Sequence, residues 1–164
     1  MNTKWFALYT KSRAEKRVNE ELLEKGISTY LPLEKKLKQW SDRKKWVESP
    51  FIRSYIFVNI REKEIQKALN TPGVVKVVKF DGKPAPVQEA QIKIIQSILA
   101  SNENFEVCKE VFEPGEKVRI EDGLLKGIEG ELVYHLNKYM VLIRIDAINQ
   151  NILVRINPSH IKKV

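Results

Sequence analysis

Ser54-Tyr55-Ile56-Phe57-Val58-Asn59-Ile60 is the stretch that decides the fold. β-Branched and aromatic residues fill it from end to end, the composition of a strand inside a sheet. Outward toward the N-terminus, Trp5-Phe6-Ala7-Leu8-Tyr9 is a second apolar and aromatic run, suited to a central strand. A helix is expected between the two. Ser12-Arg13-Ala14-Glu15 has capping-box spacing, in which serine and glutamate satisfy each other's free amides at a helix start. Ala14, Val18 and Leu22 recur every four residues as a buried stripe. Lys25-Gly26 supplies the stop, so the helix covers about 12–25.

The pattern from residue 27 to 53 is that of strands. Tyr30, Leu31, Leu33, Leu37 and Trp40 are punctuated by Pro32. Ser41-Asp42-Arg43 is turn material, and Trp46-Val47 opens the return strand. Beyond residue 60, Ile65, Ala68 and Leu69 mark a short helix over 64–70, stopped by Thr71-Pro72-Gly73. Residues 74–78 form another strand, Asp81-Gly82 a turn and Pro84-Ala85-Pro86 an extended bridge. Residues 88–99 return to helical spacing, with Ile92, Ile95, Ile98 and Leu99 on one face. The order β-α-β-β-β-α-β-α describes an α+β fold, a sandwich of a mainly antiparallel sheet covered by helices.

Residues 100–113 keep neither period. A linker over 101–111 therefore separates a first domain, residues 1–100, from a second, residues 112–164. In the second, strand formers gather at 117–120, 131–134, 139–145 and 152–156, with tight turns at Asp122-Gly123 and Asn137-Lys138. Short strands packed into about 50 residues suggest a small β-barrel. Glycines 123, 127 and 130 are expected to supply backbone angles that other residues resist.

With 43% apolar and 30% charged residues, the chain of 164 can bury a core and is not a disordered tail. No stretch approaches the roughly 18–20 apolar residues of a membrane helix, and the early charges leave no room for a signal core. The single cysteine, Cys108, excludes an internal disulfide and fits a reducing compartment. A cytoplasmic, soluble monomer is expected, with no membrane partner. The net charge of +8 is unevenly spread. Residues 1–100 hold 20 Lys/Arg against 11 Asp/Glu, a net +9, while residues 101–164 hold 9 against 10, a net −1. A polyanion is the natural partner of the first part.

The densest charge lies in the hairpin region, where Lys35, Lys36, Lys38, Arg43, Lys44 and Lys45 interleave with Trp40 and Trp46. Cations hold phosphates and rings stack on bases, a combination suited to nucleic acid. The plainer alternative is a protruding hairpin kept soluble by its lysines. Lys11, Arg13, Lys16 and Arg17 fall in the first turns of the first helix, mostly off its apolar stripe, where they can neutralise phosphates or pair with Glu15, Glu20 and Glu24. His135 and His160 stand without a Cys, Asp or Glu at metal spacing. No Ser-His-acid or Cys-His arrangement and no phosphate-binding loop is present. Glu113, Glu116, Glu121 and Asp122 read as a solvated rim. The sequence therefore predicts a binding protein, not an enzyme, with no catalytic residues, metal or cofactor.

Three stretches resemble the NusG family of transcription elongation and antitermination factors. Trp5-Phe6-Ala7-Leu8-Tyr9 followed by Lys11-Ser12-Arg13-Ala14-Glu15-Lys16-Arg17-Val18 is similar to the family's opening strand and basic first helix. Pro50-Phe51-Ile52-Arg53-Ser54-Tyr55-Ile56-Phe57-Val58 resembles its Phe-Pro-Gly-Tyr-(apolar)-Phe-Val strand, with Ile52-Arg53 or Arg53-Ser54 in place of Pro-Gly. Glu113-Pro114-Gly115-Glu116-Lys117-Val118-Arg119-Ile120, followed by Asp122-Gly123, Gly127 and Gly130, looks like its KOW barrel domain. The hairpin Gln39-Trp40-Ser41-Asp42-Arg43-Lys44-Lys45 is most similar to specialised paralogs of the UpxY type, which act on polysaccharide operons; RfaH is another such relative.

The resemblance implies that the first domain clasps the polymerase clamp helices through Tyr9, Tyr55 and Phe57. The alternative for these three is ordinary core packing. It further implies that Lys11, Arg13, Lys16, Arg17, Lys44 and Lys45 lie near non-template DNA in the transcription bubble, and that the factor promotes read-through. The second domain is expected to recruit a protein, a small-subunit ribosomal protein or the termination factor Rho, with Ile128 and Leu132 as exposed apolar contacts. KOW modules also occur in RNA-binding ribosomal and ribosome-assembly proteins, the alternative reading. The net −1 of residues 101–164 weighs against an RNA grip.

Overall fold

The computed structural model of the protein describes residues 2–101, 103–108 and 113–164. Strand β1 (Lys4–Thr10) is the axis of the first sheet. It pairs antiparallel with β5 (Tyr55–Ile60) along one edge, and with β6 (Val74–Val77) and β9 (Pro86–Val87) along the other. The short β2 (Ser28–Tyr30) extends the sheet beyond β5, giving the order β2-β5-β1-β6. The runs at 54–60 and 5–9 are thus direct neighbours.

Alternation sorts their side chains. Phe6 and Leu8 share one face with Val58 and Ile56, and that face is buried with Val18 and Leu22 of helix α1 (Glu15–Glu24) and Ile65 and Ala68 of helix α2 (Ile65–Leu69). Truncating a side chain as buried as Leu22 to alanine costs about 2–5 kcal/mol. The other face of β1 and β5 carries Ala7, Tyr9, Tyr55 and Phe57.

The start of α1 differs from the sequence expectation. The helix begins at Glu15, and Ala14 is its N-cap with no side-chain hydrogen bond, so Ser12 and Glu15 form no capping box. The reason is a longer-range demand on the glutamate. Glu15 is buried, and its Oε1 accepts from the amide of Ser54 at 3.0 Å. Arg13, at φ +64°, breaks the chain away from helical geometry just before the start. The stop is as expected: Gly26, at φ +78°, donates to Leu23 O, and Ile27 donates to Leu22 O, a Schellman closure.

Strands β3 (Leu33–Gln39) and β4 (Lys44–Pro50) form a separate two-stranded ribbon. A second small ribbon, β7 (Lys79–Phe80) with β8 (Lys83–Pro84), turns at Asp81-Gly82 as expected. The segment Pro84-Ala85-Pro86, read as a bridge, contributes to both β8 and β9.

The chain divides into two compact units, Met1–Glu89 and Ala90–Val164. This division falls at the start of helix α3 (Glu89–Ala100), whereas the sequence reading placed the boundary after it. Within α3, Ile92, Ile95 and Ile98 are buried.

In the second unit, β10 (Phe105–Cys108), β11 (Glu116–Ile120), β12 (Glu129–His135), β13 (Lys138–Ile145), β14 (Gln150–Val154) and β15 (Ile161–Lys163) form one antiparallel sheet. Its order is β10-β14-β13-β12-β11-β15. Val133, Met140, Leu142 and Leu153 cluster in its core, with Cys108 packed against them. Strand β10 corrects the linker expectation. Four residues are too few to display a period, and they pair with Asn151 to Val154, far along the chain. The turn between β12 and β13 is Leu136-Asn137, with φ of +48° and +63°, one residue earlier than expected and of the type that matches strand twist. Gly123 and Gly127 do adopt positive φ, but Gly130 does not: a Cβ there would lie 2.6 Å from Val141 Cγ1 and 2.7 Å from Leu142 O. Close strand approach, not backbone angle, requires that glycine.

Candidate functional site

Tyr9 and Tyr55 are cross-strand partners on β1 and β5, and their rings meet edge to face with centroids 5.4 Å apart. Both are half-buried. The turn before β5 fixes this pairing. Ser54 adopts φ +65°, its carbonyl accepts from Thr10 N at 2.8 Å, and its amide donates to Glu15. Arg53-Ser54 therefore occupies the Pro-Gly place, with serine in the left-handed conformation that glycine adopts freely. Phe57, two residues along the same face, is fully buried, unlike the two tyrosines.

Two residues of this face escaped the sequence reading. Tyr30, from β2, stacks on Phe57 with centroids 6.3 Å apart. Burial pushes its phenol up to about 12. Lys76, paired with Tyr9 in β6, holds its Nζ 5.7 Å from the Tyr9 ring centroid, within cation–π range. The signal for Lys76 was present, since a lysine alternating with Val77 in an apolar strand must face away from the core. Burial, and next the neighbouring Tyr9, raise the Tyr55 phenol as well. These phenols are neutral at physiological pH, able to donate and accept hydrogen bonds at the rim of an apolar surface.

The cations are less uniform than the sequence suggests. Lys11 and Arg13 precede the helix instead of lying in its first turns, because α1 starts at Glu15. Both are exposed. Lys16 Nζ donates to the carbonyl of Glu48 at 2.8 Å, tying α1 to strand β4. Arg17 approaches Glu21 at 4.0 Å, not Glu15, Glu20 or Glu24. In the β3–β4 ribbon, Lys35 pairs with Glu48 at 3.6 Å and Lys36 with Glu34 at 3.0 Å. Lys44 and Lys45 are exposed and make no ion pair among the described residues. Trp40 and Trp46 are also exposed, at 53% and 67%. Lys16 thus joins the two basic segments that the sequence lists separately.

The family model for transcription termination factor NusG matches residues 3–96, more than half the chain. The chain belongs to the NusG family. NusG proteins are transcription factors, not enzymes. The NusG transcription termination/antitermination protein of Pseudomonas aeruginosa is 26% identical over 179 aligned positions and is covered in full, as is this chain. That of Lactococcus lactis is also 26% identical, over 98% of this chain and 92% of its own length. The solved structure of Thermotoga maritima NusG, described as showing domain interaction, shares the fold with a TM-score of 0.61 at 21% identity, covering 100% of this chain and 98% of that one.

The NusG family match ends at residue 96, so most of the second unit lies outside it. Ile128 and Leu132, expected as exposed apolar contacts, are only partly exposed. Among the described residues, Leu124, Tyr134, Leu136, Tyr139 and Val164 are the large apolar residues that reach solvent there. Among the described residues His135 meets Glu106 at 3.7 Å and His160 meets Asp122 at 3.5 Å. Among the described residues no group of three potential metal ligands forms, and no helix is long and apolar enough to cross a membrane.

Proposed function

We propose that this NusG-family factor binds the clamp helices of RNA polymerase through the Tyr9–Tyr55 face and contacts non-template DNA in the transcription bubble. The paired, half-buried tyrosines carry the reading. An edge-to-face pair with polar tips, flanked by the buried Phe57 and edged by Lys76, is a preformed patch that can lose water on docking at little cost in side-chain entropy. Residues 1–100 supply this contact, and Tyr9, Tyr55 and Phe57 are its residues, Phe57 as buried support beside the tyrosines. Lys11, Arg13, Lys16, Arg17, Lys44 and Lys45 contribute to the DNA contact, supported by the excess of positive charge in residues 1–100.

The outcome of both contacts is read-through by antitermination. The basic, tryptophan-bearing hairpin supports a specialised factor of the UpxY or RfaH type acting on polysaccharide biosynthesis operons. The second unit, with near-neutral charge and exposed Leu124 and Tyr139, recruits a protein: a small-subunit ribosomal protein or Rho. Affinity purification of the tagged full chain from its own cells tests the reading. Polymerase subunits should dominate the eluate. Ribosomal particles without polymerase would replace this reading with an RNA-binding one.

A further inference from the structure

The β3–β4 ribbon sorts its charged and aromatic residues onto two faces of different chemistry. Its register sets Lys38 directly opposite Lys45, and Lys36 opposite Val47. The amide of Trp40 donates to Arg43 O at 2.7 Å, which carries the pairing one step past Gln39 and Lys44. By strand alternation Trp40 and Arg43 then lie on the face of Lys38 and Lys45. The opposite face presents Leu37 across from Trp46, with Lys35 and Glu48 beside them in an ion pair and Lys44 across from Gln39.

The first face is thus much the more cationic, and only Lys36 on it has a carboxylate partner among the described residues, Glu34. Like charges directly opposite in a sheet are destabilising. Folding gains nothing from Lys38 against Lys45, whereas a string of phosphates between and alongside them relieves the repulsion. An indole 53% exposed at the end of that same row offers a stacking platform. Cations spaced along a backbone track with an open ring on the same side match a single strand of nucleic acid. Trp46, though more exposed, faces away from the row.

We propose that the ribbon seats single-stranded nucleic acid on one face, with Lys38, Arg43 and Lys45 on the phosphates and a base stacked on Trp40, while Lys44, on the opposite face, adds only long-range attraction. This rests on the reading that the N-terminal unit contacts nucleic acid, and it divides two tryptophans that the sequence treats alike.

The test is fluorescence anisotropy of the full chain with a labelled DNA strand of about 15 nucleotides, enough to span such a site, from low salt upward. The matching duplex and a polyglutamate peptide serve as further probes. Trp40→Ala should weaken single-strand binding at least fivefold, in line with about 1–3 kcal/mol for one stacked base, and Trp40→Phe should restore most of it. Trp46→Ala should stay within about twofold of the parent. Lys38→Gln with Lys45→Gln should lower the slope of log affinity against log salt by about 1.4, roughly 0.7 per lost phosphate contact.

A larger loss from Trp46→Ala than from Trp40→Ala overturns the assignment, as does preference for the duplex. Polyglutamate binding that is as tight as DNA binding and indifferent to Trp40→Ala overturns it in favour of an acidic protein partner. If Lys11→Gln with Arg17→Gln abolishes binding while the Lys38/Lys45 variant keeps it, the ribbon proposal fails and nucleic-acid contact by the unit stands. If the parent binds no nucleic acid, both fail together.

Discussion

Replacing Glu15 should destabilise the first unit far more than replacing Ser12, although the sequence pairs the two as a capping box. Glu15 is 5% exposed, and its carboxylate accepts the Ser54 amide at 3.0 Å across the turn that positions Tyr55. A hydrogen bond to a charged acceptor contributes about 1.5–3 kcal/mol. Because the Ser54 amide is only part-buried, Glu15→Ala should cost about 2 kcal/mol. Glu15→Gln keeps an acceptor oxygen and should cost about 1 kcal/mol. Ser12 is exposed and caps nothing, so Ser12→Ala should stay within about 0.5 kcal/mol of the parent. Urea unfolding followed by tryptophan fluorescence isolates the effect, since Trp5, Trp40 and Trp46 all belong to the first unit. With m near 2 kcal/mol per molar, Glu15→Ala should shift the midpoint down by about 1 M. A Ser12→Ala variant as unstable as Glu15→Ala would restore the capping box and refute the reasoning.

Ser54→Gly should raise the stability of the first unit by about 0.5–1 kcal/mol, the left-handed strain relieved less the entropy glycine loses on folding; the same urea assay reads it, and a loss of stability would contradict the strained turn. In the second unit, the hydrogen bond from Arg144, then that from the Gly115 amide, hold the Glu131 carboxyl below the usual carboxylate range against the opposing effect of burial. A depressed folded-state value contributes stability that is present above the unfolded value, about 4.3, and lost as pH falls through the folded one. Amide NMR signals of the second unit in the full chain should therefore show Glu131→Gln melting earlier than the parent at pH 7, with the gap closing below about pH 4; an equal gap at both pH values would exclude the ion pair as its source.

Much of the fold was legible because its elements are long and periodic. The runs at 5–9 and 54–60 declared themselves as strands, and Ala14, Val18 and Leu22 as a buried stripe, from composition and spacing alone. What escaped depends on partners distant in sequence. Phe105–Cys108 is a strand only because β14 accepts it, and Glu15 leaves its local role because Ser54 needs an acceptor. Through the family resemblance the aromatic face was legible as Tyr9, Tyr55 and Phe57 together, but burial separates Phe57 from the two tyrosines, and Tyr30 and Lys76 join them through register. The ribbon shows the same limit. A slip of one residue in its pairing would move side chains to the opposite face, and no count of lysines and tryptophans reveals which register the turn at Ser41-Asp42 selects.

The central claim, that the Tyr9–Tyr55 face docks on polymerase, is tested most directly by the affinity of core RNA polymerase for the full chain and for Tyr9→Ala and Tyr55→Ala, each first shown by circular dichroism to be folded. Truncating an interface aromatic should cost about 1–3 kcal/mol, a five- to roughly hundredfold loss of affinity for either variant. Folded variants that bind polymerase as tightly as the parent would contradict the claim.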